Sequence, residues 1–144
     1  MQITHNPIQT FTCRYDAKED RLVLTLNYED IQSRVDFWIT RSFLLKLLPF
    51  FFDYTMTTSP KVEDKILADV PQITDTPLYA LTYKSPILLE SIDFQKIEQN
   101  LKLVFKNIEK SIYYESVMDA LMMEKFVKLV LSSVPKYDWG VYNI

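Results

Sequence analysis

The chain carries one histidine, one cysteine and one glycine, and these three positions bound the chemistry it can host. His5 lies in a polar N-terminal stretch, where a solvated side chain is the expectation. One histidine cannot make a two-histidine metal site, and any Ser–His–Asp or Cys–His arrangement would have to run through His5. Cys13 has no partner for an intrachain disulfide or a zinc ribbon, and beside apolar neighbours it reads as a small buried hydrophobe. With Gly140 as the sole glycine, the phosphate-cradling loop, the dinucleotide fingerprint and the G-x-S-x-G nucleophile elbow are all absent. Neither a cofactor nor a metal is expected.

The residues left with recognition chemistry are arginines, lysines and aromatics. All four arginines, Arg14, Arg21, Arg34 and Arg41, fall in the first part of the chain, so bidentate carboxylate or phosphate reading belongs there. Trp38 with Arg41 makes one candidate interaction spot, because Trp and Arg supply most interface hot spots. The plainer expectation is that Trp38 covers a sheet while Arg41 pairs with Asp36 or Asp53. Tyr113 and Tyr114 make a second candidate, following Lys102, Lys106 and Lys110; lysines and aromatics on one sheet face hold single-stranded nucleic acid. In a strand the two tyrosines point to opposite faces, and the net charge of −3 also argues against a nucleic-acid partner. Adjacent carboxylates (Glu19/Asp20, Glu29/Asp30, Glu63/Asp64) read as solvated turn charges, since acid–base work needs carboxyl groups across a pocket.

The elements that must position these residues follow from periodicity. Leu22, Leu24 and Leu26 alternate with Val23 and Thr25, predicting a strand over 21–27, and residues 34–40 form its hairpin partner. Thr40 caps a helix over 41–56, whose polar positions Ser42, Lys46, Pro49 and Asp53 make one narrow stripe. Residues 57–77, with three prolines, read as a long connection, and 78–83 and 87–94 as extended segments. Residues 94–108 fit both a helical and a strand period; the bracketing Asn100 and Asn107 favour a strand, with its return partner over 111–115. Ser116 with Asp119 resembles a capping box, predicting a Met-rich helix over 117–131 that ends at Pro135. Trp139 and Tyr142 are expected to fold back onto the body. Two halves, 12–56 and 86–134, thus share the order strand, strand, capped helix, which suggests an internal ββα pseudo-repeat. The expectation is a single α+β domain over 1–144, an antiparallel sheet with two main helices packed on it.

The segment Trp38-Ile39-Thr40-Arg41, a strand end leading into an apolar helix, resembles a pattern in small bacterial proteins without assigned activity. That resemblance extends to the later strand pair, the Met-rich helix and Trp139, and it implies a fold rather than an activity. The apolar stretch 43–52 is about half the length a bilayer-spanning helix requires, so no transmembrane segment is expected. The opening residues lack a basic start followed by an apolar core, and with no disulfide the expected setting is reducing and cytoplasmic. The leading functional expectation is a small non-enzymatic protein acting through a protein partner or self-association, because both helices expose little polar surface. The alternatives are a small-ligand binder or enzyme with a carboxylate- and tyrosine-lined pocket near 57–77, and a weak single-stranded nucleic-acid binder.

Overall fold

The computed structural model describes residues 5–57 and 85–141, the side chains of 52–57 aside. The connection expected at 57–77 lies, beyond Thr57, outside the described residues, as do the segment 78–83, the Asp53 side chain and Tyr142. In chain order the elements are β1 (His5–Pro7), β2 (Phe11–Asp16), β3 (Arg21–Leu26), β4 (Val35–Ile39), α1 (Arg41–Thr57), β5 (Ile87–Leu88), β6 (Ser91–Ile97), β7 (Asn100–Asn107), β8 (Ile112–Met118), α2 (Ala120–Ser133) and α3 (Lys136–Trp139). The fold is α+β. No helix among the described residues is long and apolar enough to cross a membrane.

The strands form two sheets rather than the one expected. The first has the order β2-β3-β4-β5 and the second β1-β8-β7-β6. Each is antiparallel except at one edge. There β5 runs parallel to β4, and β1 runs parallel to β8. Each half of the chain therefore lends its first strand to the sheet built by the other half. Neither loan shows in local periodicity, since strands of two or three residues carry almost no pattern.

Two buried asparagines fasten the loans. Asn27 follows β3 in a left-handed conformation (φ 57°), and its Nδ2 donates to the carbonyls of Pro7 (3.0 Å) and Ser33 (3.4 Å). Its Oδ1 accepts from the Gln9 (2.7 Å) and Thr10 (3.3 Å) amides. Asn107, ending β7, donates to the Leu88 carbonyl (2.8 Å) and accepts from the Lys110 amide (2.9 Å). An Asn side chain offers donors and an acceptor together, so it can satisfy strand ends that have no ladder partner.

A single apolar core joins both sheets and both long helices. Leu22, Leu24 and Leu26 face it from β3, as alternation requires, with Phe37 and Ile39 beside them from β4. Leu44, Leu47, Leu48 and Phe51 supply the α1 face at i, i+3, i+4 and i+7. Phe126 of α2 is the hub, meeting Phe11, Phe51 and Phe105 edge to face with centroids 5.4, 6.1 and 5.7 Å away. Thr40 caps α1 as expected, its hydroxyl accepting from the Phe43 amide at 3.1 Å. The helix expected from 117 begins later: β8 continues to Met118, and Asp119 is the N-cap, accepting from the Met122 amide at 2.8 Å. Ser116 is a strand residue, because β8 needs those positions to match β7 through Leu101.

The tail folds back onto the first hairpin. Trp139 is buried, its indole N–H donating to Asp20 Oδ1 at 2.8 Å, and Tyr15 donates to the same oxygen at 2.6 Å. Those two bonds, Trp139's the stronger influence, hold the Asp20 carboxyl below its ordinary range. The same bond to Asp20 pushes the Tyr15 phenol up to about 12. Gly140 ends α3 with φ 74°, the left-handed closure that glycine adopts without cost.

Candidate functional site

Strand alternation sends one set of side chains from each sheet into the core and the other set outward. On the first sheet the outward set includes Thr12, Arg14 and Asp16 of β2, Arg21, Val23 and Thr25 of β3, and Asp36 and Trp38 of β4. Arg34, just before β4, joins them beside Asp36. Three of the four arginines thus share one face with Trp38. Register runs Arg14, Val23, Trp38 and Leu88 in a row across all four strands. The Arg21 guanidinium sits over the Trp38 ring, 4.4 Å from its centroid, a cation–π contact.

Each arginine on this face has a carboxylate, but the pairs differ in quality. Arg34 meets Asp36 in a two-point contact, Nε to Oδ1 at 3.1 Å and Nη2 to Oδ2 at 3.3 Å, with both side chains more than nine-tenths buried. Arg21 donates to Glu19 at 2.6 Å at the hairpin end. Arg14 reaches Asp16 only at 3.6 Å, and its buried Nε has no hydrogen-bond partner. An unmet buried donor on a guanidinium is unusual, since such groups are costly to leave unsatisfied.

A cavity of about 180 Å³ opens at the margin of this face, between the two sheets. Asn6, Arg34, Asp36, Ile87, Ile112 and Tyr114 help to line it. A carboxylate and a tyrosine do line a pocket, although not at the position expected for one, which lies outside the described residues. The wall combines one cation, one anion, amide and phenol groups and short apolar surfaces. Among the described residues, no three His, Cys, Asp or Glu side chains gather to hold a metal ion.

The outer face of the second sheet is built on other chemistry. His5 stacks on Tyr113 with centroids 5.5 Å apart, and His5 Nδ1 donates to Glu115 Oε1 at 2.7 Å. Lys102 meets the other oxygen of Glu115 at 3.2 Å, and Lys106 pairs with Asp93 while lying over the Tyr113 ring. Lys102 first, then His5, hold the Glu115 carboxyl below its usual range. His5 is therefore tied down, where the sequence suggests a solvated terminal residue: β1 is docked on β8, and the docking brings the ring onto Tyr113. Of the lysines that suggested nucleic acid, Lys102 and Lys106 are engaged by Glu115 and Asp93.

Of the four residues singled out from sequence, Trp38 and Tyr113 face outward on different sheets. Tyr114 turns into the core, meeting Phe37 edge to face and donating its hydroxyl to the Ser33 carbonyl at 2.7 Å. Arg41 does not join Trp38, and Asp36 pairs with Arg34 instead. Arg41 points at the tail, its Nη2 3.8 Å from where a Cβ on Gly140 would stand, and its charge helps keep Asp20 ionised. Arg21 takes the place of Arg41 over Trp38, with Arg14 and Arg34 elsewhere on the same face, and each carried a usable signal, recurring at period two with acidic, apolar or hydroxyl residues. Cys13 is buried in the core as expected, and burial pushes its thiol up to about 12, an unreactive state.

Compared with known proteins, the chain matches no family model, no curated protein and no solved structure.

Proposed function

We propose that this is a non-enzymatic binding protein whose recognition surface is the outer face of the first sheet, and that its partner is a protein segment bearing carboxylates. The observation that carries this is the gathering of Arg14, Arg21 and Arg34 with Trp38 on one face, with Arg14 left short of hydrogen-bond acceptors. Arginine matches carboxylates by its planar fork, and an aromatic beside it supplies apolar area at small entropic cost. Trp38, Arg21, Arg14 and the exposed Leu88 form the accessible strip, while Val23 and Thr25 are its buried floor. A reducing, cytoplasmic setting suits the unpaired buried thiol of Cys13.

The test is an array of Glu- and Asp-rich peptides read by Trp38 fluorescence and by direct binding. Binding that weakens with salt, is lost in Arg21→Glu and survives in Lys102→Glu supports the proposal. Equal binding by both variants, or none to any acidic peptide, overturns it.

A second reading rests on the cavity beside Arg34 and Asp36. Its size is close to the ~150 Å³ of an apolar cavity that takes benzene, so a polar molecule of about that size would fit. Thermal-shift screening of small zwitterionic and amide compounds, with Tyr114→Phe as control, tests it. Stabilisation that Tyr114→Phe abolishes supports the reading, and no hit overturns it.

A further inference from the structure

The four described sheet edges are not equally protected. β1 has three residues and ends in a proline, and β5 has two residues. β2 is covered, since α2 packs against it and Ser133 Oγ donates to the Cys13 carbonyl at 3.0 Å. Short edges, proline and a covering element are the means by which sheets avoid pairing with other chains. Among the described residues, β6 has none of them. It runs for seven residues, Ser91–Ile97, and no described strand lies beyond it. At its centre Phe94 stacks on Phe50 of α1, ring centroids 5.5 Å apart and planes 11° from parallel, while Phe50 remains 58% exposed. Ile97, at the strand end, is exposed as well.

We propose that β6 is a self-pairing edge: two copies of the chain join β6 to β6, antiparallel and centred on Phe94, to make one continuous sheet across the dimer. This proposal is independent of the partner surface on the first sheet. The register follows from charge. In an antiparallel pair related by a two-fold axis, opposed residues lie on the same face, and like charges set opposite each other are unfavourable. A centre on Asp93 or on Lys96 sets that charge against itself, and a centre on Gln95, which opposes no like charges, gives up the ring pair by setting Phe94 against Lys96. Centred on Phe94, the pairs are Phe94 with Phe94, Asp93 with Gln95, Ile92 with Lys96, and Ser91 with Ile97. An aromatic pair then stands at the axis, no like charges are opposed, and the half-covered Phe50–Phe94 stack is closed from water.

The experiment is sedimentation equilibrium of the full chain over a wide concentration range, on wild type and two variants at the exposed Gln95. The wild type is expected to approach twice the 17.1 kDa of one chain. Gln95→Lys places a cation opposite Asp93 in both symmetric pairs and tightens the dimer, whereas Gln95→Glu loosens it; the two dissociation constants should differ by about tenfold or more. Within one chain Gln95 stands opposite Lys102, so effects on the fold alone would follow the reverse order. A monomeric mass at every concentration overturns the proposal, as does an equal or reversed response of the two variants. A wild type that stays monomeric while binding extended peptides of other proteins along β6 overturns it too.

Discussion

The outer faces of the two sheets are built to the same plan and held by different physics. Each has a row of side chains crossing four strands and ending on a strand lent by the other half: Leu88 ends one row and His5 the other. On the first sheet three charged pairs join positions two apart in sequence, Arg34 with Asp36, Arg14 with Asp16 and Arg21 with Glu19, and the first is buried. On the second sheet the pairs cross between strands, His5 and Lys102 with Glu115 and Lys106 with Asp93, and they are partly solvated. Burial rather than the number of charges decides what each pair is worth. A solvated pair contributes little because water competes for both ends, whereas a buried one leaves a stranded charge when either partner is removed.

The largest effect should expose that contrast. Arg34→Met leaves the Asp36 carboxylate buried without its two-point partner and should cost about 3–5 kcal/mol by urea denaturation. Asp93→Ala, from a side chain 56% exposed, should cost no more than ~1 kcal/mol. Equal costs would break the distinction. Asn27 and Asn107 sharpen it at the next level, because each ties down the strand lent to the opposite sheet. Asn27 makes four side-chain bonds and Asn107 two. Replacement by Ala should cost about 1–3 kcal/mol at each, with Asn27 the dearer. In hydrogen exchange, Asn27→Ala should loosen β1 and Asn107→Ala should loosen β5; loosening of both strands by either variant would contradict the separate fastenings.

The parts of the fold that could be read from sequence are those whose stabilising contacts are local. β3 and β4 alternate cleanly and sit opposite each other, α1 has its cap and its four-residue face, and Asn100 and Asn107 bracket β7 as good turn formers should. What escaped depends on long-range pairing. Nothing in His5-Asn6-Pro7 says that it will lie along Ile112–Met118, and β5 is too short to carry a period. The division into two sheets was equally hidden, because it depends on which strand edges meet and not on any local pattern. The candidate site was half visible: Trp38 and the N-terminal placement of the arginines stand out in the sequence. The choice of Arg21 over Arg41 as its neighbour was not, because it depends on β3 register and on where the tail comes to rest.

That tail separates the two hairpins. Asp20, the last residue of the β2–β3 turn, and Glu98, the first of the β6–β7 turn, share the same left-handed conformation, each with φ 55°. The first turn alone is overlaid by Trp139. Gly140→Ala meets no crowding, since its Cβ would stand 3.8 Å from Arg41, so the cost is the conformational one of about 1–2 kcal/mol for a left-handed L-residue. Trp139 fluorescence should shift to longer wavelength as the latch loosens, while proton resonances of the β6–β7 turn stay in place. A shift at both turns would mean that the tail supports the whole molecule and not one hairpin.

The smallest effect concerns acid. Glu115 has its folded carboxyl held down, by Lys102 first and His5 second, so it binds a proton less readily folded than unfolded. Its stabilising contribution is therefore full above the ordinary carboxylate range near about pH 4.3 and is lost as pH falls through the lower folded value. Lys102→Met removes the main cause. The Glu115 carboxyl, followed by NMR, should then titrate closer to its ordinary range, and stability should fall less steeply on acidification than in the wild type. The same substitution should leave Arg14, Arg21 and Trp38 untouched, because among the described residues no charge on the second sheet's outer face is paired with one on the first. An unchanged Glu115 titration would mean that His5 on the lent strand, and not the β7 lysine, sets its acidity.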